Sequence, residues 1–153
     1  SRVPSDCQII YTGPIDRLLN YKFGPLGWRT VEFEREVHET NNYLGNSVIN
    51  FADIDIPYTR IHEFKHYHPE RNYKGNQTIT FKERSITATK SHEPYYPINT
   101  ENDKKKLALY KEELKQNKQY IVSGRLGAYK YWDMHHCIAE ALATFESKIN
   151  QTK

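Results

Sequence analysis

Three stretches carry residues whose types and spacing could do chemistry. In GRLGAYKYWDMHHCIAEAL, Gly124 to Leu142, two glycines flank Arg125, spaced aromatics follow, and Asp133 stands at the mouth of a run with helical apolar spacing. The first backbone N–H groups of a helix lack internal partners, so this junction suits an anion or the polar edge of a cofactor. A plain strand-to-helix turn fits the same local pattern, because GxxG falls short of the full G-x-G-x-x-G fingerprint. In PYTRIHEFKHYH, Arg60, His62, His66 and His68 share the even-numbered face of an expected strand. Histidines so spaced raise metal binding, but no carboxylate or second histidine cluster is visibly arranged to complete the shell, and the reading is no metal. In EPYYPIN, prolines bracket Tyr95 and Tyr96 and stiffen the loop that presents them.

The elements that must position these groups follow from the pattern around them. QIIY, residues 8–11, reads as a short buried strand stopped by Thr12, Gly13 and Pro14. From Trp28 the chain alternates, with Trp28, Thr30, Glu32 and Glu34 on one face and Arg29, Val31, Phe33 and Arg35 on the other. Further strands are expected over 47–51, 59–67 and 77–82, separated by turn-rich stretches, so the middle of the chain reads as an antiparallel meander. A helix starts after Asn99, where Thr100 and Asp103 have capping-box spacing and Leu107, Tyr110 and Leu114 form a stripe beneath solvated lysines. The strand 120–123 then leads through Gly124 to a last helix with Asp133 as N-cap and Met134, Ile138, Ala141, Leu142, Phe145 and Ile149 on one face.

Composition bounds the answer. A length of 153 residues allows one ordinary domain, or a piece of something larger. The 22 Lys+Arg against 19 Asp+Glu leave +3, too mild to mark a nucleic-acid binder. Two cysteines make neither a metal pattern nor a disulfide framework, which suits a reducing, cytoplasmic setting. No apolar run reaches membrane-spanning length. The opening SRVPSDC has no signal-peptide character and reads as cut from a longer chain. Twelve tyrosines exceed the six phenylalanines and two tryptophans, a bias that both strand propensity and a polar-aromatic binding surface would produce.

Taken in order, YTGPID (11–16), PYTRI (57–61), EPYYPIN (93–99) and GRLGAYKYWDM (124–134) closely resemble the C-terminal portion of the UDP-galactopyranose mutase family. The resemblance implies an α+β fold: an antiparallel sheet from the substrate domain with flanking helices and a terminal strand-turn-helix from a split FAD-binding domain. On this reading residues 1–26 lead in from the FAD-binding domain, 27–98 belong to the substrate domain, and 99–153 return to the FAD-binding domain. It implies interconversion of UDP-galactopyranose and UDP-galactofuranose, with N5 of reduced FAD as covalent catalyst. It carries the diphosphate-binding roles onto Arg60, Tyr96 and Tyr131, with Asn50 lining the same pocket. Flavin contacts fall on Gly124 and Arg125 in the turn and on Asp133 and Met134 at the helix start. Met134, Ile138, Leu142 and Phe145, expected to pack on a domain absent from this chain, are expected to stay exposed and to drive formation of a homo-oligomer, with neither nucleic-acid nor membrane partners. Because the N-terminal FAD-binding half is absent, the isolated chain is expected to hold no FAD and to be inactive. The alternative is a non-catalytic sugar-nucleotide or protein-binding module of the same fold.

Overall fold

Two segments far apart in sequence meet in a short parallel pair. In the computed structural model, which describes residues 3, 4 and 6–150, β1 (Ile9–Tyr11) lies beside β7 (Tyr120–Val122), with Ile9 opposite Tyr120 and Tyr11 opposite Val122. Ser123 N–H extends the ladder by donating to Tyr11 O at 3.0 Å. This pair belongs to the first of two compact units, which comprises the residues up to Arg29 and those from Ala88 onward.

The core of that unit is Ile15, Leu26, Trp28, Tyr110 and Tyr129. Trp28 meets Tyr129 edge-on with ring centroids 4.8 Å apart, and Phe23 meets Tyr110 at 5.1 Å. Both buried phenols are satisfied, as buried polar groups must be: Tyr110 donates to Gly24 O at 2.8 Å and Tyr129 to Gly27 O at 2.6 Å. The short helix α1 (Ile15–Leu18) contributes Asp16, whose carboxylate accepts from the N–H groups of Arg17 and Leu26 and so folds the following loop back.

Helix α2 (Glu101–Lys115) starts as its sequence requires. Thr100 Oγ1 accepts from Asp103 N–H, and the Asp103 carboxylate accepts from Thr100 N–H. The same carboxylate accepts from Gly27 N–H at 2.9 Å, so one residue caps the helix and pins the segment leading to Trp28. Burial alone would raise the pKa of Asp103, but these bonds outweigh it and lower the pKa. Asp103→Ala is expected to destabilise the protein by about 1–3 kcal/mol, the cost of a lost cap together with a stranded buried N–H. Chemical denaturation of the variant measures this, and an unchanged midpoint would contradict it.

The second unit runs from Thr30 to Thr87. Strand β2 (Trp28–His38) begins in the first unit, where Trp28 and Arg29 pair antiparallel with β6 (Tyr96–Pro97). Within the second unit the strand order is β3 (Val48–Asn50), β4 (Arg60–His62), β5 (Thr78–Thr87), β2. The run β3, β4, β5 is antiparallel and meandering, as expected, but β2 joins it beside β5 rather than beside β3.

Three other expectations change. The strand foreseen over 59–67 stops at His62 and becomes a 3-10 turn, Phe64–Tyr67, closed by His66 N–H donating to Glu63 O. The alternation of β2 buries Trp28 and Thr30 only. Beyond them Glu34 and Glu36 are exposed and pair with Arg84 and Lys82 of β5. The segment Gly124–Gly127 is itself a short helix, α3, rather than an open turn.

Helix α4 (Met134–Thr144) continues into one wider π-type turn, Phe145–Ile149. Asp133 holds the N-cap position, but its side chain makes no capping bond. The apolar stripe of Met134, Ile138, Leu142 and Phe145 is exposed.

Candidate functional site

The sequence-derived site residues fall into two groups, one on each unit. In the second unit, β3 and β4 pair so that Asn50 stands opposite Arg60. Arg60 Nε donates to Asn50 Oδ1 at 3.1 Å, and Arg60 Nη1 donates to Glu83 Oε1 at 3.3 Å. Glu83 is nearly buried and also lies 2.9 Å from His62 Nε2 through its other oxygen. The guanidinium is therefore held on two sides while about half of its side chain stays open to solvent. A planar fork held in that way can meet a phosphate or carboxylate through two parallel bonds.

In the first unit, Tyr96 and Tyr131 stack with ring centroids 5.3 Å apart, and the Arg125 guanidinium lies 5.9 Å from the Tyr96 ring. Arg125 also donates to the carbonyl of Tyr95, which ties α3 to the proline-bracketed loop. These residues line an open cavity of about 830 Å³ together with Asp133 and Met134 at the start of α4. The cavity thus combines two phenols, a guanidinium and the first turn of a helix, a donor-rich set matched to a planar or anionic ligand. Gly124 lies elsewhere. It adopts φ +76°, a conformation that favours glycine, and lines a separate groove with Ile10, Cys137 and Ala141.

The histidines of the second unit do not converge on one point. His62 pairs with Glu83, His66 lies 3.2 Å from Glu63, and His68 lies 3.0 Å from Glu70.

The sequence model described as UDP-galactopyranose mutase matches residues 1–131. The chain belongs to that family. A Klebsiella pneumoniae protein named "Probable UDP-galactopyranose mutase" is 38% identical over 137 residues, which cover 90% of this chain and 35% of the relative. The dTDP-fucopyranose mutase of Escherichia coli is 34% identical over 146 residues, 95% of this chain and 38% of the relative. A crystal structure of reduced UDP-galactopyranose mutase superposes on 81% of this chain and 37% of its own with a TM-score of 0.54 at 17% identity, which supports the fold. The chain therefore spans little more than a third of the mutases it matches. Its mixed α/β architecture with an antiparallel sheet agrees with the fold expected from the resemblance. Among the described residues no helix is long and apolar enough to cross a membrane.

Sequence reasoning missed two carboxylates of this mutase-family chain. Glu83 grips Arg60, and Glu63, fully buried one residue beyond β4, accepts from the N–H groups of Tyr43 and Leu44 and from the Thr78 hydroxyl. Arg60 reaches Glu83 from another strand, and the backbone and hydroxyl donors of Glu63 come from the 43–44 loop and β5, so little of either arrangement is local.

Proposed function

We propose that this chain is the C-terminal part of a flavin-dependent mutase that interconverts UDP-galactopyranose and UDP-galactofuranose. Residues 1–26 and 99–153 belong to its FAD-binding domain and 27–98 to its substrate domain. The observation that carries this reading is the Tyr96–Tyr131 stack beside Arg125 and the start of α4, which gathers neutral phenolic donors and helix amides around one cavity.

The residues present fit a flavin edge. Asp133 leaves the first amides of α4 without a side-chain cap, so those amides remain available to a ligand bearing negative charge. Arg125, Asp133 and Met134 would hold the ring edge, whereas Gly124 lines the separate groove and is left out of this reading. When bound, reduced FAD supplies N5 as the nucleophile toward the anomeric carbon of the sugar.

The chain's own residues handle the diphosphate. Arg60 offsets its charge through the guanidinium fork, and Asn50 holds that fork in register. Tyr96 and Tyr131 donate through neutral phenols, which grip the leaving UDP without adding a second full charge. Their work is to stabilise the departing group and keep it near the sugar until the ring recloses.

The test is expression of the complete polypeptide, with flavin content and UDP-galactose ring contraction measured together. Tyr131→Phe in that protein keeps the ring and its stacking and should retain flavin. It should lower turnover or affinity about ten- to a hundredfold, the value of a hydrogen bond to a charged group. The 153-residue chain alone is expected to be colourless and inactive, and its exposed α4 stripe is expected to drive self-association. Wild-type turnover in Tyr131→Phe would remove that residue from the site, and a stoichiometric flavin spectrum from the short chain would overturn the expectation for the isolated piece.

A further inference from the structure

The histidines that drew attention in the sequence each take a separate carboxylate, but a different cluster does converge. At the start of α4, Asp133, His135 and His136 bring one carboxylate oxygen and two imidazole nitrogens within 4.8 Å of one another. All three side chains are exposed, and among the described residues no hydrogen bond or ion pair claims any of them. The two imidazole rings lie face to tilted face with centroids 3.9 Å apart. An aspartate at an N-cap ordinarily accepts from the N–H two or three residues on. Asp133 makes no such bond, and its carboxylate belongs instead to the group with the two rings.

We propose that Asp133, His135 and His136 form a binding site for a borderline divalent cation of the zinc class. Two imidazoles and one carboxylate are the donor set of open zinc sites, with three protein ligands and a remaining position for water or another donor. Hard cations such as magnesium and calcium favour all-oxygen shells, so two nitrogen donors argue against them. Ligand bonds near 2.0–2.1 Å place tetrahedral donor atoms roughly 3.4 Å apart. Drawing the three groups from within 4.8 Å to that spacing asks only for rotations of exposed side chains on one helical turn. Asp133 and His135 also line the Tyr96–Tyr131 cavity, so a bound ion stands at the edge of that cavity. The site shares Asp133 with the flavin reading, so it is tested on the 153-residue chain, which that reading expects to hold no flavin.

The experiment is a titration of the chain with Zn²⁺ against a competing chromogenic chelator, repeated with Mg²⁺. One zinc ion per chain is expected, with no competition from Mg²⁺. Asp133→Asn, His135→Ala and His136→Ala are each expected to weaken binding about tenfold or more, since even outer-shell changes cost tenfold or above. Far-UV circular dichroism of each variant shows that helix α4 is kept. The exposed thiol of Cys7 and the separate pairs of His66 and His68 supply controls. Cys7→Ser and the His66→Ala, His68→Ala double variant should bind as wild type does. Absence of zinc binding would overturn the proposal, as would loss of binding in either control or its retention in His136→Ala.

Discussion

Arg60→Ala in the complete mutase is expected to lower kcat/KM by about a hundredfold or more, the largest loss among the proposed diphosphate contacts. A hydrogen bond to a charged group is worth about 1.5–3 kcal/mol, and a guanidinium that meets a diphosphate brings more than one. Arg60→Lys keeps the charge and loses the planar fork, so it should fall between wild type and alanine. Asn50→Ala should cost about tenfold or less, because Asn50 accepts a single neutral-acceptor bond from Arg60 Nε while the Glu83 contact stays in place. Steady-state kinetics with flavin content checked in parallel decides the matter. Equal rates for Arg60→Ala and wild type would remove Arg60 from the site.

Glu63→Ala should destabilise the second unit by about 3–5 kcal/mol, the range for breaking a buried charged network by removing one partner. Ile61 is the one buried large apolar side chain described within that unit, so hydrogen bonding carries much of its interior. The Glu63 carboxylate takes Leu44 N–H at 2.7 Å, Tyr43 N–H at 3.2 Å and Thr78 Oγ1–H at 2.6 Å, with Lys65 Nζ at 3.1 Å. Alanine leaves all of them without an acceptor.

The same network sets a pH dependence. Burial alone would raise the Glu63 pKa, yet the bonds from Thr78, Leu44, Lys65 and Tyr43 win and lower it from 4.5 to about 2. A depressed folded-state pKa stabilises the protein fully above the unfolded value and ceases to do so as pH falls through the folded one. The contribution, on the order of 3 kcal/mol, is therefore present above pH 4.5 and disappears toward pH 2. Urea denaturation across that window should show a falling midpoint in wild type and a flatter profile in Glu63→Gln. Parallel profiles would contradict the assignment.

What the sequence revealed depended on how local the deciding interaction was. The Thr100–Asp103 cap was legible because both partners sit in one helical turn, and Leu107, Tyr110 and Leu114 were legible as a stripe because helical period alone aligns them. The end of β4 was not. Residues 63–67 alternate like a strand, but the Glu63 carboxylate is drawn to a loop some twenty residues earlier, and the chain turns there. The four ordered motifs identified the family, and the structure then gathered their residues into two groups. Glu83 stayed hidden because its partner Arg60 is reached across a strand pair. The Asp133, His135 and His136 cluster gives a weaker sequence signal, since it has two histidines against the three of residues 62–68.

The pairing of β1 with β7 has a consequence for synthesis. Ile9 must find Tyr120, with more than two thirds of the chain between them, and ribosomes add residues at about 5–20 per second. The first strand therefore leaves the ribosome on the order of ten seconds before its partner exists. Throughout that interval Ile10, which stays half-exposed even in the finished fold, has no ladder to join. Closing so long a loop delays this contact relative to the local hairpins of the second unit. Until residues 120–122 are made, the 9–11 segment is thus expected to stay an unpaired apolar strand, and a chaperone that binds extended apolar segments should recruit there.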